Sequence, residues 1–134
     1  MKKRFLLLIT LFLLVGSAFA QKMEFAQKTY NFGTLNDKGG PVKYKFVFKN
    51  TGNAPLIIFK VESSCGCTTP EWTKTPIQPG KEGTLTVEFD PYDNLGSVSK
   101  TITINSNSET PSLQLSIKAE VIKGEKPNIV QNAQ

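Results

Sequence analysis

Leu113-Gln114-Leu115-Ser116-Ile117-Lys118-Ala119-Glu120-Val121 alternates apolar and polar residues without a break. Successive side chains of a strand point to opposite faces, so a period of two marks a strand with one buried face and one wet face. The stretch predicts a β-strand that turns Leu113, Leu115, Ile117, Ala119 and Val121 toward a core. It is the longest regular alternation in the chain, and no helical stripe fits it.

The same period recurs toward the N-terminus. Ser97 to Asn105 predicts a strand with Val98, Ile102 and Ile104 inside. Thr84 to Phe89 turns Leu85, Val87 and Phe89 inward, and Asp90-Pro91 stops it. Val42 to Phe48 places Val42, Tyr44, Phe46 and Phe48 on one side and Lys43, Lys45 and Lys49 on the other, with Val47 out of step. Leu56 to Glu62 carries Ile57, Phe59 and Val61 on one face and Leu56, Ile58 and Lys60 on the other. A strand apolar on both faces is expected at the centre of a sheet. Met23 to Phe25 and Thr29 to Gly33 predict a first edge strand. Thr68 to Gly83 holds Trp72, Pro70, Pro76 and Pro79, and proline cannot donate to a ladder. That segment is expected to be an ordered crossing or a broken edge strand.

About seven strands, short turn-rich connections and no helical pattern predict one all-β sandwich. The first twenty residues are set apart from it. Lys2, Lys3 and Arg4 precede an apolar run from Phe5 to Val15, and Ala18-Phe19-Ala20 is a small-x-small cleavage site. This is the pattern of a secretory signal peptide cut before Gln21. No cysteine stands just after the apolar run, as a lipoprotein would need; the first is Cys65. The expected division is 1–20 signal peptide, 21–122 sandwich and 123–134 polar tail, with the mature chain periplasmic or secreted and without a membrane span. Three of the sixteen basic residues and none of the eleven acidic ones lie in the leader, so the net charge falls from +5 to +2 on cleavage.

The chain has no histidine, and Arg4 is its only arginine. The usual general base and the bidentate anion clamp are therefore missing from the mature part. The lysines form no basic run. Nucleic-acid binding, phosphoryl transfer and histidine-based hydrolysis are disfavoured, and a non-enzymatic role is expected. Glu88, Asp90 and Asp93 lack the spacing of a calcium loop and read as strand-end charges. The lysine row reads as a solvated face.

Unusual side-chain chemistry gathers in Ser63-Ser64-Cys65-Gly66-Cys67-Thr68-Thr69, which holds both cysteines. Gly66 allows a tight backbone between them. A disulfide closing a three-residue loop stabilises a fold by only about 1.6 kcal/mol before strain. Oxidised, the pair suits exchange better than stapling. Two thiolates also suit Cu(I), but a closed zinc site needs further donors; Met23 is the only methionine after the leader, and Glu62 and Glu71 flank the loop. The structural alternative places one cysteine under Trp72, with Gly66 as a bend. The candidate functional loop is Cys65, Gly66, Cys67, Thr68 and Trp72, with Cys65 and Cys67 as the possible metal pair.

Several stretches resemble one family. They are Phe46 to Leu56, with its Asn-Thr-Gly turn, Ser64-Cys65-Gly66-Cys67-Thr68-Thr69-Pro70-Glu71-Trp72, Ile77-Gln78-Pro79-Gly80, Phe89-Asp90-Pro91 and Ile104-Asn105-Ser106-Asn107. They are similar to bacterial domain-of-unknown-function family 1573 over roughly residues 24 to 122. The family is similar in pattern to the immunoglobulin-like domains of hydin and major sperm protein, and is common in secreted proteins of Bacteroidetes-type bacteria. The resemblance implies an immunoglobulin-like sandwich outside the cytoplasm and no established activity. Two functions are expected from the whole. One is a secreted module binding a protein or an envelope component, with no cofactor. The other is an extracytoplasmic thiol–disulfide or Cu(I)-binding protein using the Cys-Gly-Cys loop.

Overall fold

The computed structural model describes residues 20–125. The expected leader falls outside them except for Ala20, as does the tail beyond Glu125. The strands are β1 (Met23–Phe25), β2 (Thr29–Asn36), β3 (Val42–Asn50), β4 (Ile58–Ser63), β5 (Thr68–Trp72), β6 (Glu82–Phe89), β7 (Gly96–Ser106) and β8 (Ser112–Ile122). They form two four-stranded sheets, ordered β1-β3-β6-β5 and β2-β8-β7-β4. The described residues therefore form an all-β sandwich of eight strands rather than about seven. No helix among the described residues is long and apolar enough to cross a membrane.

The alternating strands behave as their period demands. Leu113, Leu115, Ile117, Ala119 and Val121 of β8 are buried, and so are Leu85, Val87 and Phe89 of β6. Phe46 and Phe48 of β3, with Ile102 and Ile104 of β7, complete the middle of one core. Along β1, β2 and β3 the layer between the sheets is aromatic. Tyr30 stacks on Tyr44 at 3.6 Å between centroids, bringing a β2 ring onto a β3 ring. Phe25 meets both Phe46 and Phe48.

Three expectations need correction. The segments expected as one first edge strand are separate: β1 pairs antiparallel with β3, whereas β2 pairs parallel with β8 in the other sheet. A short connection carries the chain from one sheet to the other. Second, β4 is an edge strand, not a central one. Its register against β7 slips between Ile58 and Lys60, so one extra residue, Phe59, bulges out. The bulge reverses the alternation. Ile58 and Val61 both point inward, while Ile57 is 36% and Phe59 64% exposed. An apolar run on both faces fits a central strand, but it fits a bulged edge equally well. Third, Thr68–Trp72 is a true edge strand paired with β6. The amide of Asp90 bonds the carbonyl of Cys67, and the amide of Thr73 bonds the carbonyl of Thr84. Odd-numbered residues therefore hold the bonded positions toward β6, and Pro70 falls between them, where a missing N–H costs no ladder bond.

The loops collect at two ends. At one end, Val42 and Thr68 both stand opposite Phe89, and Gly96 stands opposite Val121. That end carries the β2–β3 turn, the Ser64–Cys67 loop, the Asp90–Leu95 loop and the end of β8. Gly124 N–H donates to Asp37 Oδ1 at 2.6 Å there. At the other end, Gln78-Pro79-Gly80-Lys81 closes a turn through a bond from the Lys81 amide to the Gln78 carbonyl. Gly80 takes φ +77°, the value the third position of this proline-led turn requires.

Candidate functional site

The Cys-Gly-Cys loop joins β4 to β5, so it crosses from one sheet to the other at the edge of the sandwich. Both flanks are anchored. Ser64 N–H donates to the Thr101 carbonyl at 2.9 Å, and Ser64 Oγ accepts from Thr101 N–H at 3.1 Å. Ser63 Oγ lies 2.7 Å from the carbonyls of both Cys65 and Thr68 and donates between them. Thr68 N–H turns back to the Cys65 carbonyl at 3.4 Å.

Cys65 and Cys67 form a disulfide with their Cα atoms 5.3 Å apart. Both residues are half-buried, and Cys67 packs against the core cluster. Thr68 is buried, with 3% of its surface exposed. Its Oγ1 lies 3.7 Å from Cys65 Sγ and 3.9 Å from Cys67 Sγ. Gly66 does not adopt a positive φ, so the backbone does not demand glycine there, contrary to the expectation from a tight loop. A Cβ built on Gly66 meets nothing within 4 Å, which leaves the outer side of the loop open.

Trp72 is not part of this cluster. It closes the far end of β5, four residues from Thr68, or about 13 Å along a strand. It is half-buried against the core, its Nε1 is buried without a hydrogen-bond partner among the described residues, and the Lys74 ammonium sits 3.0 Å from its ring centroid. Neither cysteine lies under it. Of the donors considered with the cysteines, Met23 is buried in β1, and Glu71 is exposed on β5. Among the described residues, no three His, Cys, Asp or Glu side chains converge into a metal-ligating group.

The lysine row lies exposed on β3. Lys43 and Lys49 face Glu88 and Glu82 across the strand pair. Lys43 Nζ bonds Glu88 Oε2 at 2.9 Å, and this hydrogen bond and charge raise the Lys43 pKa above its ordinary value. Much of the positive row is thus matched by β6, and Glu88 is a cross-strand partner.

In the sequence, Asp90 and Asp93 of the neighbouring loop read only as strand-end charges, and Tyr92 and Leu95 were not singled out. Asp90 N–H donates to the Cys67 carbonyl at 2.9 Å, which ties the Asp90–Leu95 loop to the disulfide loop. Tyr92 N–H bonds Asp90 Oδ1 at 3.0 Å, Asn94 Nδ2 bonds the Tyr92 carbonyl at 2.8 Å, and Asn94 N–H bonds the Pro91 carbonyl at 3.1 Å. Pro91 is fully buried beneath, and Asp93 takes φ +57°. This frame holds Tyr92 62% and Leu95 57% exposed. The signal was present in Tyr92 and Leu95 as large apolar residues inside a turn-rich, acidic stretch. A groove of about 570 Å³ lies by β1 and β8 at the opposite end, between Lys22 and Gln114. Met23 lines it, but none of Cys65, Gly66, Cys67, Thr68 and Trp72 does.

These features define a class: a β-sandwich module that presents a disulfide-closed loop and an apolar loop together at one end. The chain belongs to the family described as "Protein of unknown function (DUF1573)", whose model matches residues 23–121. It is similar to a protein of unknown function from Porphyromonas gingivalis W83, with 25% identity, a TM-score of 0.69, and 80% of this chain and 50% of that one covered. It also resembles in fold a family 123 glycoside hydrolase from Clostridium perfringens, at 12% identity and TM-score 0.60, covering 81% of this chain and 28% of the other. The secreted serine protease VesC from Vibrio cholerae is a further fold relative, at 11% identity and TM-score 0.58, covering 81% of this chain and 24% of the other. The chain spans half or less of the length of each. No curated protein matches it.

Proposed function

We propose that this protein is an extracytoplasmic, non-enzymatic module that binds another polypeptide at the end carrying the Cys65–Cys67 and Asp90–Leu95 loops. One observation carries the reading: Tyr92 and Leu95 are held exposed on a loop fixed by its own hydrogen bonds and by the bond to Cys67. Aromatic and aliphatic anchors on a rigid frame bind without a large ordering cost, which is what an interface centre requires. Exposed Asp90 precedes the pair and exposed Asp93 lies between its members, so the partner segment is apolar with basic neighbours.

The location outside the cytoplasm is supported by the basic, apolar and small-x-small pattern of residues 1 to 20. It is also supported by an oxidised cysteine pair, since disulfides persist in oxidising compartments. The strand order β1-β3-β6-β5 opposite β8-β7-β4 follows the ABED and GFC order of immunoglobulin-type sandwiches, with β2 as an added edge strand. In that architecture the loops at the two ends are the natural binding surfaces.

The test is a photo-crosslinking residue placed at position 92 of the chain in its native envelope. The expected result is a discrete polypeptide adduct, lost when Leu95→Ser is added and kept when Cys65 and Cys67 are both changed to Ser. The same probe at Thr110, at the other end, yields none. Equal labelling from both ends, or none at position 92, would overturn the proposal.

A further inference from the structure

We propose that the Cys65–Cys67 disulfide is a two-electron acceptor for a dithiol on the polypeptide docked against Tyr92 and Leu95. Cys65 Sγ is the atom attacked, and Thr68 is the positioning residue. The docking half rests on the function proposed above; the electron-acceptor half stands on the geometry of the loop.

Four observations converge. First, the loop keeps its shape without the sulfur–sulfur bond. Ser63, Ser64, Thr68 and Asp90 pin it through backbone and hydroxyl hydrogen bonds to β7, β5 and the end of β6. Opening the bond therefore asks little rearrangement of the fold. Second, the bond closes a loop of only three residues, so it contributes little to folding. The coupling is reciprocal: a fold that gains little from a disulfide does little to protect it from reduction. Third, the outer side at Gly66 is open, while of the two cysteines Cys67 is the one packed on the core. An incoming thiolate meets Cys65. Fourth, Thr68 is buried and sets its hydroxyl within 4 Å of both sulfurs. A hydroxyl there donates to whichever sulfur becomes the thiolate and favours the charged form.

The exchange balances as follows. A partner thiolate attacks Cys65 Sγ. A bond forms between those sulfurs, the Cys65–Cys67 bond breaks, and the electron pair leaves on Cys67 Sγ, where Thr68 donates a hydrogen bond. The second partner thiolate then attacks the partner's first sulfur and displaces Cys65 as a thiolate. The partner gains a disulfide and loses two electrons and two protons; the loop ends as two thiols. Histidine is absent from the chain, so Thr68 is the group on the loop that can assist the leaving sulfur.

The test uses the folded chain, dithiothreitol, and an unstructured peptide with two cysteines beside apolar and basic residues. The expected result is one equivalent of peptide disulfide formed per oxidised chain, with the protein folded throughout. Run in reverse, Cys67→Ser protein forms a mixed disulfide with the oxidised peptide through Cys65 at least tenfold faster than Cys65→Ser protein does through Cys67. Thr68→Val slows exchange about tenfold and moves the alkylation pH profile of Cys67 in the reduced protein upward, and Thr68→Ser restores both. A merely structural threonine would not move that profile. A bond that resists dithiothreitol until the protein unfolds, or equal mixed-disulfide rates at the two cysteines, would overturn the proposal. Tyr92→Ser/Leu95→Ser separates the two readings. It is expected to slow oxidation of the peptide by a much larger factor than that of dithiothreitol; if it slows the two equally or slows neither, the docking surface is wrong while the electron acceptor stands.

Discussion

Asn50 is polar, yet it has no exposed surface. Its Nδ2 donates to the carbonyls of Ala54 at 2.8 Å and Ile77 at 2.9 Å, and its Oδ1 accepts from Gly52 N–H at 3.0 Å. One side chain thus closes the Asn50–Pro55 turn and ties it to the crossing before β6. The sequence marks Asn50-Thr51-Gly52 as a turn. It does not say that the asparagine is buried, because its partners are backbone groups, one of them 27 positions away. Asn50→Ala leaves the Ala54 carbonyl and the Gly52 amide without this partner and takes one of two donors from the Ile77 carbonyl, which also accepts from Leu56 N–H, and should cost about 2–4 kcal/mol in a urea titration. Asn50→Asp should be little better, since a carboxylate cannot donate. The cysteines teach the same lesson. Their spacing admitted a disulfide, a metal pair or a packing role; only the orientation of the loop between two edge strands brings the sulfurs together beside Thr68.

Strands with one buried face were legible because the alternation and the burial are the same fact. Strands with irregular pairing were not. In β4 a single bulged residue converts the expected face of Ile57, Phe59 and Val61 into two exposed residues and one buried residue. A bulge depends on how β4 meets β7, and no property of β4 alone fixes it. Close approach across strands is another such effect. Gly83 of β6 stands opposite Phe48 of β3, and a Cβ on Gly83 would overlap the Phe48 ring. Gly83→Ala forces that ring, 1% exposed, off its position, and should destabilise the protein by about 1–3 kcal/mol in thermal or urea unfolding. Phe48→Leu combined with Gly83→Ala should recover part of the loss, since the smaller side chain vacates the space.

At the scale of the molecule, the hydrophobic core carries the stability. Phe46, Phe48, Leu85, Phe89, Ile102, Ile104, Leu115 and Ile117 are all essentially inaccessible and lie between the two sheets. The disulfide lies at the rim and spans only two sequence positions. Cys65→Ser/Cys67→Ser should therefore lower stability by about 1–2 kcal/mol at most. Leu115→Ala, which opens a cavity in the centre, should cost about 2–5 kcal/mol. If the cysteine variant proved the more damaging in the same urea titration, the pair would be a staple and the case for exchange would be lost.

The sequence by itself determined the all-β class, the faces of β3, β6, β7 and β8, and the family, because these follow from local alternation and from contiguous motifs. The tertiary structure decided the rest. It assigned β1 and β2 to different sheets, put β4 at an edge, and separated Trp72 from the cysteine loop along the length of β5. It also set the Asp90–Leu95 loop against Cys67, which brings two segments more than twenty residues apart in sequence to one end of the sandwich. Periodicity reports which face of an element is buried; it carries no information about which element lies alongside, since that choice depends on the packing of both sheets at once.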